Sequence, residues 1–197
     1  MPIERGAEWG VPGVLPTDAP VVSTDRAVAE ELARGCQVLG VKGGDVARTL
    51  GVRAPYNRAS PKQLVPVDII QLRVDDRAEY VCIAHAVIGR SWLGREVVAI
   101  MNAAFVGARN VAPRAHPGDG KADVIRMQLS LGDRVKALQR MKTGSHLPHP
   151  NISVTRRGHG RLEFDRPRLI RIDGVARGSV SVVEYTVAAD AYTLAVS

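Results

Sequence analysis

The run Lys42-Gly43-Gly44-Asp45-Val46-Ala47-Arg48-Thr49-Leu50-Gly51 sets two glycines and a carboxylate just ahead of an apolar, helix-compatible segment. Glycines let backbone N–H groups come close to an anion, and a helix start adds the positive end of its dipole. The combination suits a phosphate, with Asp45 holding a metal ion or its waters. It suits equally a glycine turn in which Asp45 caps a helix. A second carboxylate, Asp173, precedes Gly174. It could accept a proton if correctly placed, or the pair could simply make a type I′ hairpin turn. Asp119 opens the acidic turn Asp119-Gly120-Lys121-Ala122-Asp123. A hard divalent ion wants several oxygens and this turn offers few, so a plain turn competes with a cation site. His146 and His149 have no Cys or carboxylate near them in sequence to complete a metal site, and no ligand role is expected of them.

These residues need elements to hold them. Residues 1–18, rich in Gly and Pro, read as a loop or extended arm that Trp9 packs onto the body. An apolar run at 19–22, a cap at Ser23-Thr24-Asp25, an amphipathic stretch through Val28 and Leu32, a stop at Gly35 and a second apolar run at 36–41 make a tight β-α-β unit. Residues 56–63 read as polar loop. Alternation over 65–74 puts Ile70, Leu72 and Val74 on one face, Asp75-Asp76-Arg77 turns the chain, and 80–88 returns as an antiparallel hairpin. Residues 97–105 form the next strand. Leu131, Val135, Leu138 and Met141 follow helical spacing and predict a core-facing stripe, with Gly144 stopping the helix. Short strands follow at 152–156, 161–164, 168–172, 180–187 and 192–196, separated by turns at 158–160, 173–174 and 189–190; such spacing indicates a β-sandwich.

Composition narrows the partners. The 197 residues carry a net charge of +7, with arginines far outnumbering lysines, which favours phosphates or an acidic membrane surface. Nucleic acid is not expected: there is no zinc-ligand spacing, no aromatic-rich strand of the RNA-binding type and few aromatics for stacking. No apolar run is long enough to span a bilayer and the N-terminus lacks an export pattern, so a cytoplasmic protein, peripheral at the membrane, is expected. Cys36 and Cys82 read as separate buried thiols.

Three stretches resemble, in order, the diacylglycerol kinase and bacterial lipid kinase family, within the NAD kinase–diacylglycerol kinase superfamily. The first is the glycine loop at 42–51, similar to the family's G-T-G-N-D-F-A-R-T-L-G. The second runs from Asn102-Ala103-Ala104-Phe105-Val106-Gly107 through Pro113 and Asp119-Gly120-Lys121-Ala122-Asp123-Val124 to His146-Leu147-Pro148-His149-Pro150. The third, Arg171-Ile172-Asp173-Gly174-Val175, resembles V-D-G-E. Together they cover about residues 38–196.

The resemblance implies an α+β, mostly β chain. An arm (1–18) leads into a shortened β-α-β remnant of a kinase lobe (19–60), and a lipid-kinase-like β-sandwich with one packed helix follows (61–197). It implies ATP and Mg2+ as cosubstrates if the protein is active. Asp25 and Asp45 would hold the metal's waters, Gly43 and Gly44 the phosphates, Arg48 would support the loop, and Asp173 would be general base toward a lipid hydroxyl. The turn at Asp119 would be the family's cation turn. The departures matter as much. Ser23, Thr24 and Arg26 replace glycines of the nucleotide motif, Gly118 replaces an aspartate and Val175 a glutamate. The family's first β-α-β unit has no room ahead of residue 19. Phosphoryl transfer by ancestry, weak or absent in this chain alone, is therefore expected; the alternative is a non-catalytic lipid-, nucleotide- or partner-binding protein. A homodimer or a partner chain paired through an exposed sheet edge would complete the lobe.

Overall fold

The computed structural model describes residues 9–52, 57–60 and 62–196. The outer part of the arm and part of the loop at 56–63 lie outside the described residues. Capping and apolar spacing produce the expected β-α-β unit: β2 (Val21–Val22), α1 (Asp25–Ala33) and β3 (Val38–Val41). Thr24 is the N-cap of α1, its hydroxyl accepting from Ala27 N at 3.2 Å. A single turn of helix, α2 (Asp45–Thr49), follows. Ahead of the unit the arm is extended, and β1 (Val11–Gly13) pairs antiparallel with β4 (Lys62–Val74). Trp9 anchors it, donating from Nε1 to Pro66 O at 3.2 Å and packing edge-on against His116 at 4.6 Å.

Beyond β4 the strands are β5 (Ala78–Cys82), β6 (His85–Ile88), β7 (Val97–Met101), β8 (Phe105–Val106), β9 (Arg109–Asn110), β10 (Ala122–Met127), β11 (Ile152–Arg157), β12 (His159–Ile172) and β13 (Val175–Val196), with α3 (Leu131–Arg140) between β10 and β11. Among the described residues, one sheet runs β1-β4-β13-β12-β6-β7-β10-β11. The pair β2-β3 joins it in parallel through β13, and β5 joins at β4. This large, mostly antiparallel sheet closes on itself as a sandwich. Ile70, Leu72 and Val74 of β4 share one buried cluster with Val124 of β10, far along the strand order. The odd face of β4 instead turns Val65 and Val67 toward α1 and α2, with Tyr192 and Leu194 of β13. β4 is thus buried on both sides over its first half.

Several expectations change. The return strand of the first hairpin is two strands: β5 pairs with β4, and after Ile83-Ala84 the chain leaves to pair as β6 with β12 and β7. The strands expected at 161–164 and 168–172 are one strand, β12, with an irregularity between Glu163 and Arg168. Those at 180–187 and 192–196 are likewise one, β13. The residues expected to turn there form an irregularity with Asp190 at φ 51°. The stripe on α3 is only partly core. Met141 and Ala137 are buried, but Leu131 and Val135 are exposed, because α3 lies on the sheet by its C-terminal half.

Candidate functional site

Three aspartates named from sequence converge where α2 meets the sandwich, and backbone N–H groups hold each one. Asp25, at the start of α1, is buried. Its carboxylate accepts from Asp45 N at 2.6 Å and Val46 N at 3.1 Å, the first free donors of α2. Asp45 is therefore not the cap of α2: the N-cap position is Gly44, which has no side chain to offer, and Asp25 caps the helix from twenty residues upstream. The glycines make room for this. A Cβ at Gly43 would lie 2.7 Å from Ser23 O, and one at Gly44, where φ is 106°, would lie 2.7 Å from Asp25 Oδ1. The chain's own turn and carboxylate fill the space an anion would use.

Asp45 points the other way. Both its oxygens accept from Gly107 N at 3.0 Å, in the turn between β8 and β9. Arg48 closes the same joint, donating to Gly107 O at 2.7 Å with its guanidinium 4.3 Å over the Phe105 ring. Thr49 adds a third link, its hydroxyl donating to Asp45 O at 2.7 Å and accepting from Ala104 N at 2.9 Å. Arg48 and Thr49 of the same motif thus both tie α2 to the segment 104–107.

Asp173 and Gly174 form the two-residue turn between β12 and β13, both at positive φ (46° and 80°). The Asp173 side chain folds back over the break between β5 and β6. Oδ2 accepts from Ile83 N at 2.8 Å, and Oδ1 from Ala84 N at 2.8 Å and His85 N at 3.1 Å. It therefore satisfies the donors that strand pairing leaves open where the chain changes partners. Cys82 Sγ lies 3.9 Å from the same carboxylate.

Electrostatics follow from the crowding. Burial pushes Asp25 up to about 6, against the lowering effect of its two N–H donors; Asp173 and Asp45 add to the rise. Burial holds His85 below the ordinary histidine range, although Asp173 and Asp45 pull it back up. His85 is a group that sequence reasoning missed. It is buried, and its Nδ1, without a hydrogen-bond partner, lies 3.6 Å from Asp45 Oδ2. Burial likewise drives the Cys82 thiol and the Tyr192 hydroxyl well up. Only the apolar run around His85 marks it in the sequence, and such a run marks a core histidine just as well.

The other named positions lie apart. Asp119 packs its carboxylate against the Arg156 guanidinium and accepts from Lys121 N at 3.0 Å. His146 is buried with Nε2 3.1 Å from Val111 O, and His149 Nδ1 accepts from Asn151 N at 3.1 Å, so both serve the corner itself. Asn102, the first residue of the long motif, ties strands together by donating to Asp68 O and Ile83 O, each at 2.8 Å. The cysteines are free thiols, Cys82 buried and Cys36 half-buried.

The donor set does not fit a metal–nucleotide complex. Among the described residues no three His, Cys, Asp or Glu side chains are grouped so as to hold a metal ion, and the N–H groups heading α2 are taken. What the arrangement can do is join the β-α-β unit to the sandwich through carboxylate-to-amide bonds, each stronger than a neutral hydrogen bond.

A sequence model described as the YegS C-terminal NAD kinase beta sandwich-like domain matches residues 66–196. No curated protein matches the chain. Among solved structures, a diacylglycerol kinase from Bacillus anthracis str. Sterne superposes with a TM-score of 0.57 at 14% identity, over 81% of this chain and 69% of that one. Another structure from the same organism, given that name provisionally, superposes with a TM-score of 0.59 at 15% identity, over 90% and 76%. At these identities the likeness is one of fold.

Proposed function

The chain belongs to the family of the YegS C-terminal NAD kinase beta sandwich-like domain, and we propose that it works in that lineage as a binding protein. ATP- and Mg2+-dependent transfer to a lipid hydroxyl is weak or absent in this chain alone. One observation carries the reading: the Asp25 carboxylate sits on the α2 N–H groups that a phosphate would need. An internal anion there costs a nucleotide phosphate both its donors and its charge complementarity. The substitutions Ser23, Thr24, Arg26 and Val175 act in the same direction. Asp173, the residue implied as base, has both carboxylate oxygens engaged by three backbone N–H groups at the break between β5 and β6.

Calorimetric titration of ATP with Mg2+ into the chain, with Asp45→Asn in parallel, tests this. The expected result is no saturable heat up to millimolar ATP. Sub-millimolar binding that weakens in Asp45→Asn would overturn the reading and restore a nucleotide site.

A further inference from the structure

β11 ends the strand order, and among the described residues β10 is the only strand paired with it. The register between the two is unbroken, from Ala122 opposite Arg157 to Met127 opposite Ile152. One step further along, Asn151 O accepts from Gln128 N at 3.0 Å. Antiparallel ladders alternate between residues that bond across and residues that do not. Counting from Asn151, Ser153 and Thr155 direct their N–H and C=O to β10, while Val154 and Arg156 direct theirs to the opposite side. Gly158 O lies on that same side and accepts from Val187 N of β13 at 2.7 Å. β13 pairs with the chain only from there onward, so Val154 and Arg156 have no strand beside them. No proline or bulge blunts this edge, and residues 153–157 are all exposed.

Beside this edge lies a cavity of about 400 Å3. Its apolar walls are Ile125 of β10, Ile152 and Val154 of β11, and Pro113, Leu147 and Pro148 of the adjoining loops. Val154 thus serves both features: its backbone is part of the open edge and its side chain, 45% exposed, is part of the wall. A strand laid along the edge would present every second side chain on the cavity's face. The local charge is positive. Asp119 and Asp123 are both engaged by the Arg156 guanidinium, Asp123 at 3.5 Å. Arg114 at the cavity, Arg157 on β11 and Arg126 across the ladder from Ser153 form no ion pair among the described residues.

We propose that β11 takes up an extended acidic peptide of a partner protein as an added strand. The peptide backbone pairs with Val154 and Arg156, one apolar side chain enters the cavity, and carboxylates meet Arg114, Arg126 and Arg157. Open N–H and C=O groups call for a strand, the cavity beside them selects a side chain, and the unpaired arginines select the charge. A second copy fits less well. Pairing β11 with β11 across a two-fold axis would bring the arginines of both strands together. Peptide capture gives the binding-protein reading a partner and rests on it only in that sense. It uses no residue of the aspartate joint, so its failure and that of the ATP titration are separate results.

Selection from a phage-displayed library of random peptides of roughly eight residues, the length of a strand, tests this on the full chain. The enriched peptides are expected to carry several carboxylates around an apolar residue. Added as synthetic peptides, they should slow amide hydrogen exchange at Val154 and Arg156 and leave Ser153 and Thr155, already bonded to β10, little changed. Val154→Pro removes an outward N–H from an edge strand, where proline is tolerated, and should weaken binding about fivefold or more. Arg114→Glu with Arg157→Glu should do the same at an unchanged melting temperature, since both side chains are exposed. If the proline variant melts early, the arginine variant and the exchange pattern of the parent decide. The proposal is overturned by enrichment of no peptide, or of peptides without carboxylates. It is equally overturned by peptides that leave exchange at Val154 and Arg156 unchanged, by undiminished binding to the arginine variant, or by a dimer in sedimentation equilibrium that Val154→Pro abolishes.

Discussion

Replacing Asp173 by Asn separates two roles for this residue. Asn tolerates the left-handed backbone that the turn requires, at φ 46°, so the change acts on the carboxylate and leaves the turn alone. The amide oxygen can still face Ala84 N and His85 N, but as a neutral acceptor. The amide NH2 then opposes Ile83 N, and Ile83 is fully buried. Hydrogen bonds to a charged acceptor contribute roughly 1.5–3 kcal/mol each and neutral ones about 0.5–1.5, while an orphaned buried donor costs about 1–3. Asp173 is itself half-buried, which reduces the sum to roughly 2–4 kcal/mol. At about 2–4 °C per kcal/mol for a chain of this size, the melting temperature should fall by about 5–15 °C. Differential scanning calorimetry measures this, and amide hydrogen exchange should speed up at residues 83–85. A melting temperature within about 2 °C of the parent would refute the argument that Asp173 holds the break between β5 and β6.

Further expectations concern pH and α3. Asp25, pushed up to about 6 from 3.8, keeps a proton in the folded state that the unfolded chain has released. Its contribution to stability is therefore fully present below pH 4 and is lost as pH rises through 6. Asp123, also pushed up to about 6 by burial, and His85, whose lowered pKa acts in the opposite direction below 6.5, are common to the parent and an Asp25→Asn variant. The difference in urea-unfolding free energy between those two proteins should thus shift toward the variant by on the order of 2 kcal/mol from pH 4 to pH 7; a flat difference would remove Asp25 from the buried joint. On α3, Met141→Ala should cost roughly 2–5 kcal/mol and Leu131→Ala less than about 0.5 in urea titration, because Met141 is 1% exposed and Leu131 67%. Equal losses would mean that the helix packs by the whole predicted stripe.

The β-α-β unit was legible because local signals agree: apolar runs, a Thr24 cap and a glycine stop all lie within a few residues of what they control. The loop at 42–51 and Asp173 were found through motif resemblance, and they do meet in space. Their roles were not legible, since Asp25 and the α2 donors are joined across twenty residues that no periodicity links. Strand continuity failed for a similar reason. The turn expected at 189–190 is no break: β13 runs on through it, and Asp68 on the neighbouring strand accepts from Asp190 N at 3.0 Å. The exposure of Leu131 and Val135 escaped because helical spacing tells which residues share a face, not how far along its length that face is covered. Burial on both sides of β4 was not legible, because alternation over 65–74 marks one core face and does not show that the opposite face is covered as well.

β13 also sets the order in which the molecule can come together. Its residues 183–196 pair with β4, 175–186 with β12, and 193–195 with β3, so Thr193 finds Val38 across most of the chain. During synthesis β2–β3 and β1–β4–β5 can pair early, but the edges of β3 and β4 that β13 covers stay open until residues 175–196 leave the ribosome. Such long-range closure makes folding slow and exposes sticky strand edges meanwhile. Refolding should therefore be slower, and its yield more sensitive to protein concentration, than the modest size of the chain suggests.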